Sequence, residues 1–262
     1  MKALFIGYGR MGSALGDAWL RTGLIEQLSI VDPGLAGAPE ESRFTRLEEA
    51  PEDAFDLIVL AVKPGYASTA LAGLSDRQCS QAMVISVAAG VTLATLSQAL
   101  DERCPVVRAM PNTPVLVGAG CTGLYAGGGL GEVQRERIGQ LFAAVGQAYW
   151  VEQEGLLDAV TAISGSGPAY YHLFSEALAQ AGAKLGLPTE LAHQLAAQTA
   201  FGAATLQQQA HADFTELRLA VTSPNGTTAA AIEVFEADQK LRALVDAATT
   251  AAFNRSVELS AH

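Results

Sequence analysis

The first twelve residues constrain this chain more than any other stretch. A short apolar run at residues 3–6 leads into Gly7-Tyr8-Gly9-Arg10-Met11-Gly12, and a helical pattern follows over residues 11–22. Between a strand and a helix this spacing has a specific physical meaning. The first glycine makes the tight turn, the second lets the backbone approach a pyrophosphate, and the third lets the helix pack close to the strand. The helix start then offers unpaired N–H groups and partial positive charge to phosphates. A purely structural turn is the plainer alternative. Flanked by both elements, the motif predicts a dinucleotide site built on Gly7, Tyr8, Gly9, Arg10, Met11 and Gly12.

The following residues extend that start into a fold. Further short apolar runs at residues 28–31, 57–62, 83–87, 106–109 and 148–151 read as strands, with helical patterns at 93–100 and 132–144 between them. Strands alternating with helices predict a parallel sheet covered on both faces, and the unbroken Leu57-Ile58-Val59-Leu60-Ala61-Val62 reads as a strand buried on both sides. Residues 1–154 are therefore expected to form an α/β Rossmann-type domain. From 155 to 262 the alternation stops. Ala, Leu and Gln dominate, Pro168, Pro188 and Pro224 punctuate, and helices are expected near 168–185, 188–210, 213–221, 227–237 and 238–257. Gly186 is placed to end the first of these in a left-handed conformation. This second, all-helical domain has few large aromatics, so it is expected to complete its core against a partner subunit.

Composition excludes several functions. The 262 residues carry 16 Lys plus Arg against 27 Asp plus Glu, a net charge of −11, which works against counterion-release binding to nucleic acid and against anionic membrane surfaces. Three widely spaced cysteines and no Cys-x-x-Cys pair argue against a zinc site or a disulfide framework, and no metal is expected. No apolar stretch approaches the ~20 residues a bilayer needs, and the N-terminal run is too short for a signal peptide, so a cytoplasmic protein is the expectation.

Other stretches add candidates. Asp32 ends the second strand, 20 residues past Gly12. It can accept hydrogen bonds from the ribose hydroxyls of NAD(H) and would repel the 2′-phosphate of NADP(H). Equally, Asp32-Pro33-Gly34 is good turn chemistry, and Arg43 and Arg46 downstream could reach a 2′-phosphate. Ala61-Val62-Lys63-Pro64 and Ala88-Ala89-Gly90 follow strands, where ligands of such sheets sit; Lys63 reads equally as a solvated lysine. In Arg108-Ala109-Met110-Pro111-Asn112-Thr113-Pro114 two prolines stiffen the backbone, which suits positioning a nicotinamide ring or merely leaving the sheet. Ser164-Gly165-Ser166-Gly167-Pro168 offers hydroxyls and flexible backbone at a helix start, for an anion, a domain contact or an N-cap. Thr222-Ser223-Pro224-Asn225-Gly226-Thr227-Thr228 can cradle a carboxylate with consecutive backbone N–H groups, or simply start a helix. There is no His-x-x-x-His, no strand-borne Gly-x-Ser-x-Gly and no paired carboxylate for acid–base work.

In this order the glycine turn, Ala61-Val62-Lys63-Pro64, Met110-Pro111-Asn112-Thr113-Pro114, Ser164-Gly165-Ser166-Gly167-Pro168-Ala169-Tyr170 and the threonine-rich loop resemble pyrroline-5-carboxylate reductases over essentially the whole chain. The resemblance implies an N-terminal Rossmann domain, a helical domain that forms homodimers or larger assemblies, and an active site between the cofactor domain and the dimer's helices. It implies NAD(P)H as cofactor, and the family often uses NADPH, whereas Asp32 hints at NADH. Contacts to the cofactor are expected from Ala61, Val62, Lys63, Pro64, Met110, Pro111 and Asn112, and from the strand-end Ala88, Ala89 and Gly90. The resemblance places the substrate carboxylate on Asn225, Gly226, Thr227 and Thr228, and the bond to the substrate's ring nitrogen on Thr228. The chain departs from the family pattern at Asn225, where glycine is commoner, and at Arg10, where asparagine is common. Asparagine tolerates left-handed angles, so the loop is expected to keep its shape. A β-hydroxyacid dehydrogenase would need a lysine on the helix after Gly167, and none occurs before Lys184. A non-catalytic NAD(H)-responsive protein would leave the threonine loop without a purpose.

Overall fold

The fold is given by a computed structural model that describes residues 1–35 and 42–260. Met1–Ser166 and the chain from Ala252 onward form one compact unit, and Gly167–Ala251 form a second. Ala261 and His262 lie outside the described residues.

The first unit contains β1 (Lys2–Ile6), α1 (Arg10–Arg21), β2 (Gln27–Val31), β3 (Arg43–Phe44), β4 (Leu57–Leu60), α2 (Ala67–Ala72), α3 (Asp76–Cys79), β5 (Met83–Ser86), α4 (Leu93–Ala99), β6 (Val106–Met110), β7 (Gly120–Ala126), α5 (Glu132–Ala143), β8 (Gly146–Trp150) and α6 (Leu156–Val160). The strands form one sheet in the order β3-β2-β1-β4-β5-β6-β7-β8. The order reverses between β1 and β4, and in such sheets the ligand crevice opens beyond the strand ends at that point.

Alternate residues of each central strand serve two cores. Leu4, Ile6, Ile58, Leu60 and Val84 pack with Leu71, Leu96 and Cys79 on one face. Ala3, Phe5, Leu57, Val59 and Ile85 pack with Leu15, Trp19, Ile138 and Phe142 on the other. The two faces are covered by α2, α3 and α4 on one side and by α1 and α5 on the other. Buried on both sides, these strands have to be apolar throughout, which is why they were legible as continuous runs. The Trp19 indole N–H also donates to the Leu141 carbonyl at 2.6 Å, tying α1 to α5.

Two sheet features depart from the expectation. The sheet is not wholly parallel, because β7 runs antiparallel to β6. Neither β7 nor the two-residue β3 was expected. Gly120-Cys121-Thr122-Gly123 carries no apolar strand run, and both glycines are required by close packing. A Cβ on Gly120 would meet Val115 Cγ1 at 2.4 Å, and one on Gly123 would meet Val160 Cγ1 at 2.7 Å.

The second unit contains α7 (Gly167–Lys184), α8 (Thr189–Gln207), α9 (Phe214–Ala220), α10 (Thr227–Glu236) and the first half of α11 (Lys240–Ser260). As expected, Gly186 adopts φ +100° after α7, and the Leu187 N–H reaches back to the Gly182 carbonyl at 3.1 Å. In α7 and α8 the buried residues are small: Gly167, Ala179, Ala192 and Ala196. A Cβ on Gly182 would meet the Ala192 methyl at 3.3 Å, so the two helices pack backbone to backbone. Large apolar side chains are left outside: Leu185, Val234 and Phe214 are 88%, 72% and 69% exposed. A five-helix unit with its large residues outward needs another surface to bury them. Sedimentation velocity at micromolar concentration is expected to show a dimer or larger species, and a stable monomer would contradict this.

Candidate active site

The glycine turn sits at the sheet's reversal point. The Gly7 N–H donates to the Val31 carbonyl at 2.8 Å, which closes the turn after β1. Gly7 has φ +90°, and a Cβ there would lie 2.5 Å from the Ala61 carbonyl oxygen just past β4. Gly12, in the first turn of α1, is equally confined: its Cβ would lie 2.5 Å from the Gly7 carbonyl oxygen. Gly9 is the opposite case, with nothing within 4 Å of a Cβ. Two glycines thus serve close packing, and the middle one presents open backbone at the α1 N-terminus, which no side chain caps. These features fit a bound pyrophosphate.

Asp32 is anchored from both sides. Its Oδ2 accepts from the Tyr8 N–H at 2.6 Å and its Oδ1 from the Gly34 N–H at 2.7 Å. The turn reading is present in this carboxylate: it shapes the Asp32-Pro33-Gly34 turn, and it also holds the glycine loop against β2. Tyr8 stands edge-on to Phe5, and its hydroxyl donates to Asp17 at 2.6 Å. Burial, reinforced by that acceptor, pushes the phenol above its usual range, so it stays protonated and donating. Of the downstream arginines, Arg46 is paired with Glu49 at 2.8 Å, and Arg43 lies in β3, beside β2.

The remaining cofactor-side candidates also gather beyond strand ends. Lys63 is exposed and makes no ion pair among the described residues, with Pro64 starting a 3-10 turn after it. Ala88, Ala89 and Gly90 form the turn after β5, where Gly90 has φ +75°. Met110 ends β6, followed by Pro111 and the buried Asn112. The Asn112 side chain is committed to the protein: Nδ2 donates to the Ser164 carbonyl at 2.9 Å, and Oδ1 accepts from the Cys121 N–H at 2.8 Å. A Cβ on Gly165 would meet Met110 Cε at 3.0 Å. The Met-Pro-Asn segment is thereby fixed against residues 164–165.

Those residues correct one expectation. The Ser164-Gly165-Ser166-Gly167-Pro168 stretch is not a flexible helix start. Thr161–Gly165 is a π-helical segment continuing from α6, and α7 begins at Gly167. The Ser164 hydroxyl donates to the Val160 carbonyl at 3.0 Å, inside the helix, instead of capping α7. Pro168 is accommodated because first-turn N–H groups have no intrahelical partner.

In the second unit the threonine loop has the expected form. Asn225 is left-handed, φ +58°, and the Gly226 N–H closes the turn on the Ser223 carbonyl at 3.0 Å. A Cβ on Gly226 would collide with Ser223 Oγ at 2.6 Å. Thr222 is committed to the Arg218 carbonyl at 2.6 Å. By contrast, no side chain caps α10, and the half-buried Thr228 hydroxyl has no hydrogen-bond partner among the described residues. At the other end of α10, Arg242 pairs with Glu236 at 2.6 Å and holds its carboxyl below the usual range.

One polar residue at the first unit's site carried no legible signal. Glu154 sits between β8 and α6, and nothing in Glu152-Gln153-Glu154 sets it apart from Glu152. Its Oε1 accepts from the buried Arg108 guanidinium at 2.7 Å and from the Leu93 N–H at 2.6 Å.

A doubly wound sheet with a glycine turn at its reversal point defines a Rossmann-type dinucleotide-binding oxidoreductase class. Comparison with known proteins narrows this. Residues 2–90 match the family model described as NADP oxidoreductase, coenzyme F420-dependent, and residues 154–259 match that for pyrroline-5-carboxylate reductase dimerisation. The chain is 43% identical to the pyrroline-5-carboxylate reductase of Pseudomonas aeruginosa, over 99% of this chain and 97% of that one. It is similar to the solved structure of the Coxiella burnetii pyrroline-5-carboxylate reductase, with a TM-score of 0.87 at 34% identity over 99% and 98% of the two chains. It is also similar to the Plasmodium falciparum pyrroline carboxylate reductase solved with NADP bound, with a TM-score of 0.85 at 29% identity over 99% and 98%. The chain belongs to the pyrroline-5-carboxylate reductase family.

Replacing Asn112 by Ala leaves the Cys121 N–H and the Ser164 carbonyl without their partner. Unfolding in urea is expected to show a loss of about 2–4 kcal/mol, the cost of two orphaned backbone groups. Unchanged stability would remove Asn112 as the staple of this segment.

Proposed function

We propose that the protein reduces 1-pyrroline-5-carboxylate to L-proline with NAD(P)H, the last step of proline biosynthesis, as a cytoplasmic homodimer or larger assembly. The observation that carries this reading is the uncommitted α10 N-terminus: a left-handed Asn225, first-turn amides with no side-chain cap and a Thr228 hydroxyl with no partner among the described residues. The functional division we propose is a cofactor part over residues 1–154 and a dimerisation and substrate part over 155–262.

The residues have distinct tasks. Gly7, Tyr8, Gly9, Arg10, Met11 and Gly12 take the pyrophosphate, and Asp32 takes the adenosine ribose. Ala61, Val62, Lys63, Pro64, Ala88, Ala89, Gly90, Met110, Pro111 and Asn112 line the rest of the cofactor's path, Asn112 by fixing backbone. Reduced nicotinamide, when bound, supplies the hydride that reduces the imine carbon. The backbone of Asn225, Gly226, Thr227 and Thr228 grips the substrate carboxylate, and Thr228 Oγ1 accepts from the protonated ring nitrogen. A protonated imine is already electrophilic, so the protein needs to orient and stabilise it, and no strong general base is needed. Lys184, at the far end of α7, is not placed for the base that hydroxyl oxidation would require.

Asp32 supports a preference for NADH. Its charge is fixed at the end of β2 by two amides, and Arg46 is held by Glu49. kcat/KM is expected to be higher with NADH than with NADPH. Asp32→Ser should shift the ratio toward NADPH by about tenfold, the effect of removing one like charge near the 2′-phosphate. A wild-type enzyme faster with NADPH would sink this preference.

Thr228→Ala tests the substrate side. A hydrogen bond to a charged group contributes about 1.5–3 kcal/mol, so kcat/KM for pyrroline-5-carboxylate should fall about 10- to 150-fold with the fold intact. A loss below about threefold would take Thr228 out of the mechanism.

A further inference from the structure

The β5–α4 turn, whose Ala88-Ala89-Gly90 lies on the cofactor's path in the reading above, has little of its own to fix it. Its one side-chain bond among the described residues is from the Ala88 N–H to Ser86 Oγ, long at 3.3 Å. Gly90 is left-handed and Ala89 exposed. Two remote groups hold its ends. At the downstream end, the Leu93 N–H is the first amide of α4 and has no partner within the helix. Glu154 Oε1 accepts from it at 2.6 Å and is held there by Arg108, 2.7 Å away on β6. The Arg108 side chain is 10% and the Glu154 side chain 29% exposed, so the pair is partly shielded from solvent. Thr92 serves a different amide, that of Thr95, at 3.2 Å, so Glu154 is not redundant with the local cap. At the upstream end, the last turn of α11 presses on Gly90: a Cβ there would lie 2.9 Å from the Leu259 carbonyl oxygen. That turn is itself anchored by Ser256, whose hydroxyl donates to Asp158 at 2.6 Å.

We propose that Glu154, oriented by Arg108, is a positioning residue for cofactor binding, acting through the Leu93 amide to hold the Ala88–Gly90 backbone where the dinucleotide meets it. The inference rests on the proposed cofactor site. Glu154 touches neither substrate nor reacting atoms. Without its carboxylate, α4 starts with an orphan amide and the turn gains freedom that cofactor binding must then remove.

The test uses the full-length protein with NADH as probe. Glu154→Ala should raise the NADH Kd, measured by nicotinamide fluorescence titration, by about tenfold, with Glu154→Gln, which keeps an acceptor oxygen, in between. kcat at saturating NADH and KM for pyrroline-5-carboxylate should stay within about twofold of wild type. Amide exchange across residues 88–93 of the free protein should speed up in the same order, Ala above Gln above wild type. Wild-type Kd and wild-type exchange in Glu154→Gln and Glu154→Ala, whatever the melting temperature, would overturn the proposal. If Glu154→Ala does not fold, Glu154→Gln decides alone, on the same two measurements. Failure of wild-type protein to bind NADH or NADPH would instead overturn the cofactor site itself, and this inference with it.

Discussion

The contact on which the cofactor side depends is the approach of one backbone turn to another. Gly7 abuts the Ala61 carbonyl and Gly12 abuts Gly7, each at a distance no side chain could occupy. This brings the start of α1 down onto the sheet between β1 and β4, where the strand order reverses. The α1 dipole and the open Gly9 backbone then face the crevice beyond the strand ends. Asp32 continues the same arrangement by pinning the Tyr8 amide to the end of β2. Packing and recognition are inseparable here, because the residues that close the turn also decide where its free amides point.

The two units solve the burial problem differently. The sheet buries large residues on both faces, with Trp19, Phe5, Phe55 and Phe142 fully enclosed. The helical unit packs its own helices through alanine and glycine and leaves leucine, valine and phenylalanine outside. Close backbone approach between α7 and α8 limits how much apolar area one copy can hide. The match of residues 154–259 to a dimerisation family follows from this physics: the surface left over is what a second copy must cover.

What could be read from the residues follows the same division. Strands buried on both faces appear as continuous apolar runs, and Pro168, Gly186, Pro188, Pro224 and Gly226 marked most of the helix ends between 168 and 237. β7 was invisible because its glycines, demanded by Val115, Val145 and Val160, erase strand propensity. The π-helical turn at Thr161–Gly165 was not legible, since Ser164-Gly165-Ser166-Gly167-Pro168 reads by composition as a flexible helix start. The glycine turn and the threonine loop were legible because their backbone geometry restricts residue type, down to Asn225 at positive φ. Glu154 was not, because an acid that caps a helix far along the chain looks like any surface acid until the fold brings it to Leu93.

An acidic protein that takes an anionic substrate and an anionic cofactor has to hold both against its own net charge. Apart from Arg10 and Lys63 on the cofactor side, both proposed anion sites are built from backbone amides. In the function proposed above the pyrophosphate meets the N-terminus of α1 and the carboxylate that of α10, both uncapped by side chains. Backbone amides cannot titrate and carry no net charge, so they bind anions without raising the chain's affinity for nucleic acid or anionic membranes. With both anions held by fixed dipoles, the net charge of −11 is free to serve solubility. The proposed function then depends on how rigidly each helix start is held, and on the cofactor side Asn112, Asp32 and Glu154 each bond backbone groups that fix the surrounding turns.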